Sequence, residues 1–348
     1  MIEAVFASRR VVKSRGFGPL ALRVEVERFP LKAPFRITGH TLVETNVITV
    51  TLQKDGATGR GEAAGVYYRP HDDALNALRQ IEAVRGRIEA GIDRESLQRL
   101  LPYGGARNAV DCALWDLEAK LTGRPAWEIA GLGRPRPLLT TFTVSAKTPE
   151  QMAADALAYT QARAIKLKLT GDAEDADRVR AVRAARPDAW LGIDANQGFT
   201  RVSLEALMPV LVAARVVLIE QPLPVGQEEQ LDGFESPIYL AADESAQCSA
   251  DLPALAGRFH VINIKLDKCG GLTEGLAMAR CAAALGFEVM VGNMLGTSLA
   301  MAPAVLIGQL CTVVDLDGPI FLEADRAVPV VYEDGLICSP EALWGAAR

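Results

Sequence analysis

The sequence predicts an α/β protein in which a smaller α+β module precedes a parallel eight-stranded barrel. Three observations carry this. From Leu138 onward, short β-rich runs alternate with helix-length stretches; the first third groups its strands ahead of its helices; and 348 residues accommodate a large barrel with an appendage.

Taken in order, residues 1–20 form an extension with no defined element. Ser8-Arg9-Arg10-Val11-Val12-Lys13 has the outline of a twin-arginine signal, but Arg15, Arg23, Glu25, Glu27 and Arg28 interrupt the apolar segment such a signal needs. Leu20–Phe29, Val43–Leu52 and Gly56–Gly65 read as three antiparallel strands. Asp72–Ala90 and Ala106–Leu121 carry apolar residues at helical spacing, and Gly123-Arg124-Pro125 stops the second. This module is expected over residues 21–130 and the barrel over residues 131–318.

Eight barrel strands follow: Thr140–Ser145, Ala164–Leu169, Trp190–Ala195, Val216–Glu220, Ile238–Asp243, Val261–Lys265, Glu288–Gly292 and Thr312–Asp315. With right-handed crossovers this number closes as a TIM-type barrel, a doubly wound open sheet being the alternative. Val289–Val314 has no charged residue and is long enough to span a bilayer. Gly292, Asn293, Gly296, Thr297, Ser298 and Pro303 divide it into strand, polar turn, buried helix and strand, so no membrane partner is expected.

Composition narrows the function classes. With 49% hydrophobic and 23% charged residues the chain is an ordinary globular protein, and a net charge of −6 lacks the basic footprint of a nucleic-acid binder. The cysteines are scattered with no C-x-x-C pair, as expected of a reduced, cytoplasmic protein.

Charged residues recur where the predicted strands stop: Lys166 and Lys168, then Asp194, Glu220, Asp243 and Lys265, with Asp315 and Asp317 after the last. The steps from Lys168 are 26, 26, 23 and 22 residues, about one strand-plus-helix unit each. In a barrel those ends open on one face. One such carboxylate alone reads as a turn residue or helix cap, and the lysines alone as a solvated face; in register they converge. Three oxygen ligands on rigid strands suit Mg²⁺, whereas zinc would call for His or Cys, and His40, His71 and His260 lie off these strand ends. Lysines 166 and 168 point to one side of their strand, and Lys166, with Mg²⁺ nearby, is expected to lower the pKa of Lys168 and so take part in catalysis by making it a base near neutral pH. Lys265 falls about four strands round from Lys168. Two lysines facing each other across a metal-bound carboxylate suggest removal and return of a proton at one carbon.

At these residues the sequence resembles the enolase superfamily, within it the muconate-lactonizing-enzyme subgroup. The matching motifs are Lys166-Leu167-Lys168, Asp194-Ala195-Asn196, Glu220-Gln221-Pro222, Asp243-Glu244-Ser245 and Ile264-Lys265-Leu266-Asp267-Lys268-Cys269-Gly270-Gly271, supported by Gly61-Glu62-Ala63 and Arg107-Asn108-Ala109-Val110-Asp111. The resemblance implies a modified (β/α)7β barrel under an α+β capping domain completed by residues 319–348. It also implies Mg²⁺ held by Asp194, Glu220 and Asp243, acid/base catalysis by Lys168 and Lys265, and proton loss to an enediolate that the metal stabilises. Asp315-Leu316-Asp317 looks like the paired aspartates of dipeptide epimerases, which hold the free ammonium of the substrate; read locally, it is also a turn. A dipeptide partner follows, and homo-oligomers are a further expectation for barrels of this kind. N-acylamino acid racemization, o-succinylbenzoate synthesis and cycloisomerization are alternatives on the same scaffold. A metal-dependent hydrolase and an inert ligand-binding barrel are the readings furthest from it.

One departure stands out. With Pro34-Phe35 aligned to the start of the capping loop, Leu42 occupies the place where Ala-Glu epimerases similar to this chain tend to carry an arginine that meets the acidic side chain. Residues Thr38–Val43 therefore look suited to a neutral or hydrophobic second residue, unless Arg36 substitutes.

Overall fold

Three antiparallel strands, β1 (Ala21–Ile37), β2 (His40–Lys54) and β3 (Ala57–Ala64), open the computed structural model, which describes residues 16–37 and 39–347. Residues 1–15, with the arginine pair of the predicted extension, and Thr38 of the predicted specificity loop lie outside the described residues. The extension's last residues are tied down: the Phe17 and Leu20 amides donate to the carbonyls of Gly91 and Glu89 at 3.1 and 2.9 Å. β1 continues past Phe29 because its two prolines fall at a register irregularity between Pro30 and Phe35, after which pairing resumes as Phe35 opposite Leu42. On an edge strand a missing proline N–H is tolerated.

The expected helix over Asp72–Ala90 is two, Ala74–Ala83 and Arg85–Glu89, broken at Val84, whose φ is −118°. A further helix, Arg94–Leu100, is capped by Asp93, which accepts from the Ser96 amide at 2.6 Å. The helix Gly105–Thr122 is buried through Ala119 because it has two apolar faces. Ala106, Ala109, Val110, Ala113 and Leu117 pack into the core under the capping sheet, while Cys112, Trp115 and Ala119 join the barrel's core. Each large apolar side chain so enclosed contributes about 1.5–3 kcal/mol. β3 lies so close to this helix that a Cβ at Gly61 would stand 2.1 Å from the Ala109 carbonyl oxygen. A side chain there would push the capping sheet off the helix.

The eight predicted barrel strands are the eight found, each within two residues: β5 (Thr141–Val144), β6 (Ala164–Lys168), β7 (Trp190–Asp194), β8 (Val216–Glu220), β9 (Tyr239–Ala242), β10 (Val261–Ile264), β11 (Glu288–Val291) and β12 (Val313–Val314). They pair in parallel in strictly sequential order, which excludes the doubly wound alternative with its reversal of strand order. Before the barrel, β4 (Leu138–Leu139) joins β14 (Leu336–Cys338), which pairs with β13 (Val331–Glu333).

Among the described residues no ladder joins β5 to β12. Side chains bridge that seam: Thr140 Oγ1 accepts from the Leu316 amide at 3.0 Å, and Thr141 Oγ1 donates to Asp315 Oδ1 at 2.5 Å. The uncharged run folds as β11, a turn and the buried helix Ser298–Gly308, and no helix among the described residues is long and apolar enough to cross a membrane. The six cysteines are free thiols.

Candidate active site

Strand alternation fixes the first components. Lys166 and Lys168 point into the barrel from β6 while Leu167 between them packs in the apolar core outside. Asp194 and Glu220 end β7 and β8, Asp243 follows β9 and Lys265 follows β10, so one mouth collects all of them. The chain then turns sharply: Asn196 (φ 40°) and Gln221 (φ 35°) adopt left-handed backbone just beyond Asp194 and Glu220, conformations non-glycine residues hold only where surroundings impose them. For Asn196 the turn brings its Oδ1 back to accept from Lys168 Nζ at 3.0 Å.

The site is a lattice of ammoniums and carboxylates. Lys166 Nζ lies 2.5 Å from Asp315, 3.0 Å from Glu220 and 3.2 Å from Asp194. Lys168 lies 2.6 Å from Asp194, and Lys265 lies 2.6 Å from Asp243. Lys268 completes it. This residue reads equally as part of a solvated face in the sequence, yet it is fully buried and donates to both Asp243 Oδ1 and the Asp243 carbonyl at 2.6 Å. Its position one helical turn beyond Lys265, on Leu266–Cys269, was the available signal.

These pairings set the protonation states. Burial works against the Lys265 ammonium, but Asp243 and Glu220 outweigh it and hold its pKa well above the ordinary lysine value; Asp315 and Glu220 do the same for Lys166. Carboxylates, not cations, are the nearest neighbours of these two lysines. Burial raises Glu220 to about 7, with Asp194 adding to it, and burial raises Glu244 to about 8, with Asp243 adding to it.

Six carboxylates (Asp194, Glu220, Asp243, Glu244, Asp315, Asp317) face four ammoniums (Lys166, Lys168, Lys265, Lys268), a formal excess of two negative charges among buried groups. Two buried acceptors at the same place, Glu244 Oε2 and Asn263 Oδ1, have no hydrogen-bond partner among the described residues. An all-oxygen, electron-rich, incompletely satisfied cluster fits a hard dication such as Mg²⁺. As they stand, no three acidic, histidine or cysteine side chains among the described residues converge tightly enough to clasp one cation. Asp194, Glu220 and Asp243 each point at a lysine instead, so clasping would require these side chains to turn from ammonium to metal.

A cavity of about 270 Å³ lies above the lysines. Lys166, Lys168 and Lys265 reach it from below, and Asp315 and Asp317 line one side. Lys166 holds the Asp315 carboxyl below the usual range against its burial. Burial, with Asp315 beside it, pushes Asp317 up to about 6 although the Thr143 amide donates to it at 2.7 Å. The capping module closes the far wall with Phe35, Ile37, Leu42 and Phe321, and Glu44 also faces in. Arg36 is exposed on the other side of β1 from Phe35 and Ile37 and does not line this cavity. Tyr67, absent from the sequence-derived candidates, also lines the cavity, and its hydroxyl accepts from Asn196 at 3.4 Å.

Comparison with known proteins decides the lineage. Residues 21–131 match the mandelate racemase / muconate lactonizing enzyme N-terminal domain, and residues 150–342 the enolase C-terminal domain-like family. The chain belongs to the enolase superfamily. It is 40% identical over 315 residues to an L-Ala-D/L-Glu epimerase of Escherichia coli, covering 90% of this chain and 98% of that one. It is 41% identical over 296 residues to an N-acetyl-D-glutamate racemase of Pseudoalteromonas, covering 83% and 92%. An enolase superfamily member from Agrobacterium tumefaciens, solved with sodium and L-Ala-L-Glu, superposes with a TM-score of 0.91 at 43% identity over 94% of this chain and all of that one. A dipeptide epimerase from Methylococcus capsulatus, solved with Mg and L-Arg-D-Lys, gives 0.86 at 30% identity over 94% and 98%. With epimerases and racemases as its relatives, this superfamily member is an isomerase.

Proposed function

We propose that this isomerase is a Mg²⁺-dependent dipeptide epimerase that inverts the α-carbon of the C-terminal residue of an L,L-dipeptide. The observation that carries the reading is one cavity holding Lys168 and Lys265 at its floor and Asp315 with Asp317 at its side. One lysine removes the α-proton from one face and the other returns a proton to the opposite face, each over the short reach a general base needs. Lys166, bonded to three carboxylates, holds the charge lattice in place. Asp194, Glu220 and Asp243 are the residues that would hold Mg²⁺, which when bound supplies Lewis-acid stabilisation of the enediolate's charge.

Asp317 supports the dipeptide over an N-acylamino acid. It is a buried carboxyl raised by burial and by its neighbour Asp315, and a substrate ammonium would provide the missing cation, which an acylated nitrogen lacks. The racemase relative, at 41% identity, makes the N-acyl substrate the second reading.

For the second residue we favour a neutral or hydrophobic side chain. Leu42, Phe35, Ile37 and Phe321 offer it an apolar wall, and among the described residues the lining cations are the three lysines of the floor. Glu44, which also lines the cavity, is already paired with Arg28 and offers an acidic group no cation of its own. The Agrobacterium structure with L-Ala-L-Glu favours the acidic alternative, which here would have to draw a cation from outside the cavity wall.

The test is incubation with Mg²⁺ in D₂O against L,L-dipeptides and N-acylamino acids, reading deuterium uptake by mass spectrometry and the inverted centre by NMR. One deuterium gained by a set of apolar L-Ala-L-X dipeptides is the expected result. Exchange in N-acylamino acids alone overturns the dipeptide reading. Faster turnover of L-Ala-L-Glu than of every apolar dipeptide overturns the side-chain preference and leaves the reaction standing.

A further inference from the structure

Two carboxylates placed two residues apart repel each other, so a turn that presents both to one ligand has to be held from behind. In Asp315-Leu316-Asp317 three side chains distant in sequence hold the backbone. Asn293 Nδ2 donates to the Asp315 carbonyl at 2.6 Å, the Tyr332 hydroxyl donates to the Leu316 carbonyl at 2.6 Å, and the Leu316 amide donates to Thr140 Oγ1 at 3.0 Å. The fit around Asn293 is tight, since a Cβ at the following Gly318 would stand 2.4 Å from Asn293 Oδ1. Tyr332 comes from β13, outside the barrel sheet, and does not line the substrate cavity. Its ring packs edge-on against Phe142 with centroids 6.1 Å apart. These anchors sit where, among the described residues, β5 and β12 share no ladder, so this strand end is paired through its backbone on one side only, the Asp315 amide donating to the Val291 carbonyl at 2.9 Å.

We propose that Asn293 and Tyr332 are positioning residues for ammonium recognition: they hold the Asp315-Leu316-Asp317 turn so that both carboxylates face one point in the cavity. The inference rests on the dipeptide reading. Neither residue transfers a proton, so loosening the turn weakens binding of the free amine and spares the chemical step.

The experiment uses the Mg²⁺-loaded full chain, the L-Ala-L-X dipeptide turned over fastest in the D₂O screen, and its N-acetyl derivative as competitor. Tyr332→Phe keeps the ring and removes only the hydroxyl, Asn293→Ala removes the second anchor, and thermal melts verify that both fold. Tyr332→Phe, outside the cavity, is expected to raise KM for the dipeptide roughly three- to tenfold, the worth of one hydrogen bond, with kcat within about twofold; Asn293→Ala, at a residue that also lines the cavity, is expected to raise KM at least as much. The inhibition constant of the N-acetyl competitor stays put, so the preference for the free amine shrinks by the same factor. Unchanged preference in both variants, while Asp317→Asn abolishes it, overturns the positioning role alone. A wild-type enzyme that binds the dipeptide and its N-acetyl derivative equally well overturns the ammonium reading, and the proposal falls with it.

Discussion

Two of the clusters in this molecule that mix carboxylates with cations, one buried at the barrel mouth and one partly buried under the capping sheet, use different cations. At the barrel mouth every cation is a lysine: 166, 168, 265 and 268. Between barrel and capping sheet it is arginine. Arg326, from the segment after the barrel, donates to Glu27 on β1 at 2.8 Å, Thr49 on β2 at 3.0 Å, Glu62 on β3 at 2.5 Å and Thr297 ahead of the helix Ser298–Gly308 at 2.9 Å. Arg94, beneath the capping sheet, pairs with Glu118 and lies 3.6 Å over the Trp115 ring. An ammonium is a point charge on a flexible stem that can surrender its proton, whereas a guanidinium is a rigid fork that stays charged. On the proposed mechanism the chain places lysine where a proton has to move, at 168 and 265, and arginine where a geometry has to stay.

Exchanging the two cations tests that division. Lys168→Arg or Lys265→Arg keeps the charge but removes the transferable proton, and epimerization should fall about 10²- to 10⁴-fold while the melting temperature holds. Equal losses of activity and stability would mean that these lysines are structural. The reciprocal Arg326→Lys should lower stability by about 1–3 kcal/mol in urea unfolding, because a single ammonium cannot reproduce the fork between Glu27 and Glu62, with kcat reduced far less than in the lysine variants.

Asp267, at the same interface between the two modules, sharpens the contrast without a cation. It accepts from the Ala64 amide at 2.9 Å and from Asn108 at 3.3 Å, and burial raises its pKa from 3.8 to about 7. Between those values the folded chain keeps a proton that the unfolded chain has released, so this group's contribution to stability is full in acid and is lost as pH climbs towards 7. Asp267→Asn should therefore gain on wild type by about 2–3 kcal/mol in going from pH 5 to pH 8; parallel melting curves at the two pH values would show that the aspartate ionises without penalty. The smallest change brings an arginine to the mouth. Leu42→Arg should shift the ratio of kcat/KM for L-Ala-L-Glu over an apolar L-Ala-L-X about tenfold towards the acid, and an unmoved ratio would place the second side chain elsewhere.

The barrel and its charges were legible because both repeat. Each strand is a short β-rich run, and each contributes its charge at the same point of the repeat, so Lys168, Asp194, Glu220, Asp243 and Lys265 announce one another. What stayed hidden depends on contacts without period. Lys268 looks like any surface lysine until the Asp243 carbonyl is placed beside it. Glu62 and Arg326 lie 264 residues apart, and no local pattern pairs them. The run of β1 to Ile37 was obscured by Pro30 and Pro34, which only an edge strand with a register irregularity accommodates. The split at Val84 was missed because apolar spacing continues across it.

The seam between the first and last barrel strands carries a consequence for how such a scaffold changes. Thr140 and Thr141 close the ring there by bonding to the same short segment that supplies Asp315 and Asp317. A substitution that tried a new substrate at Asp315 would also remove Thr141's partner and loosen the ring, so selection would see the damage before the novelty. Paths to new chemistry are thereby steered towards the other wall, where Leu42 and its neighbours hang from a sheet the barrel does not need in order to close.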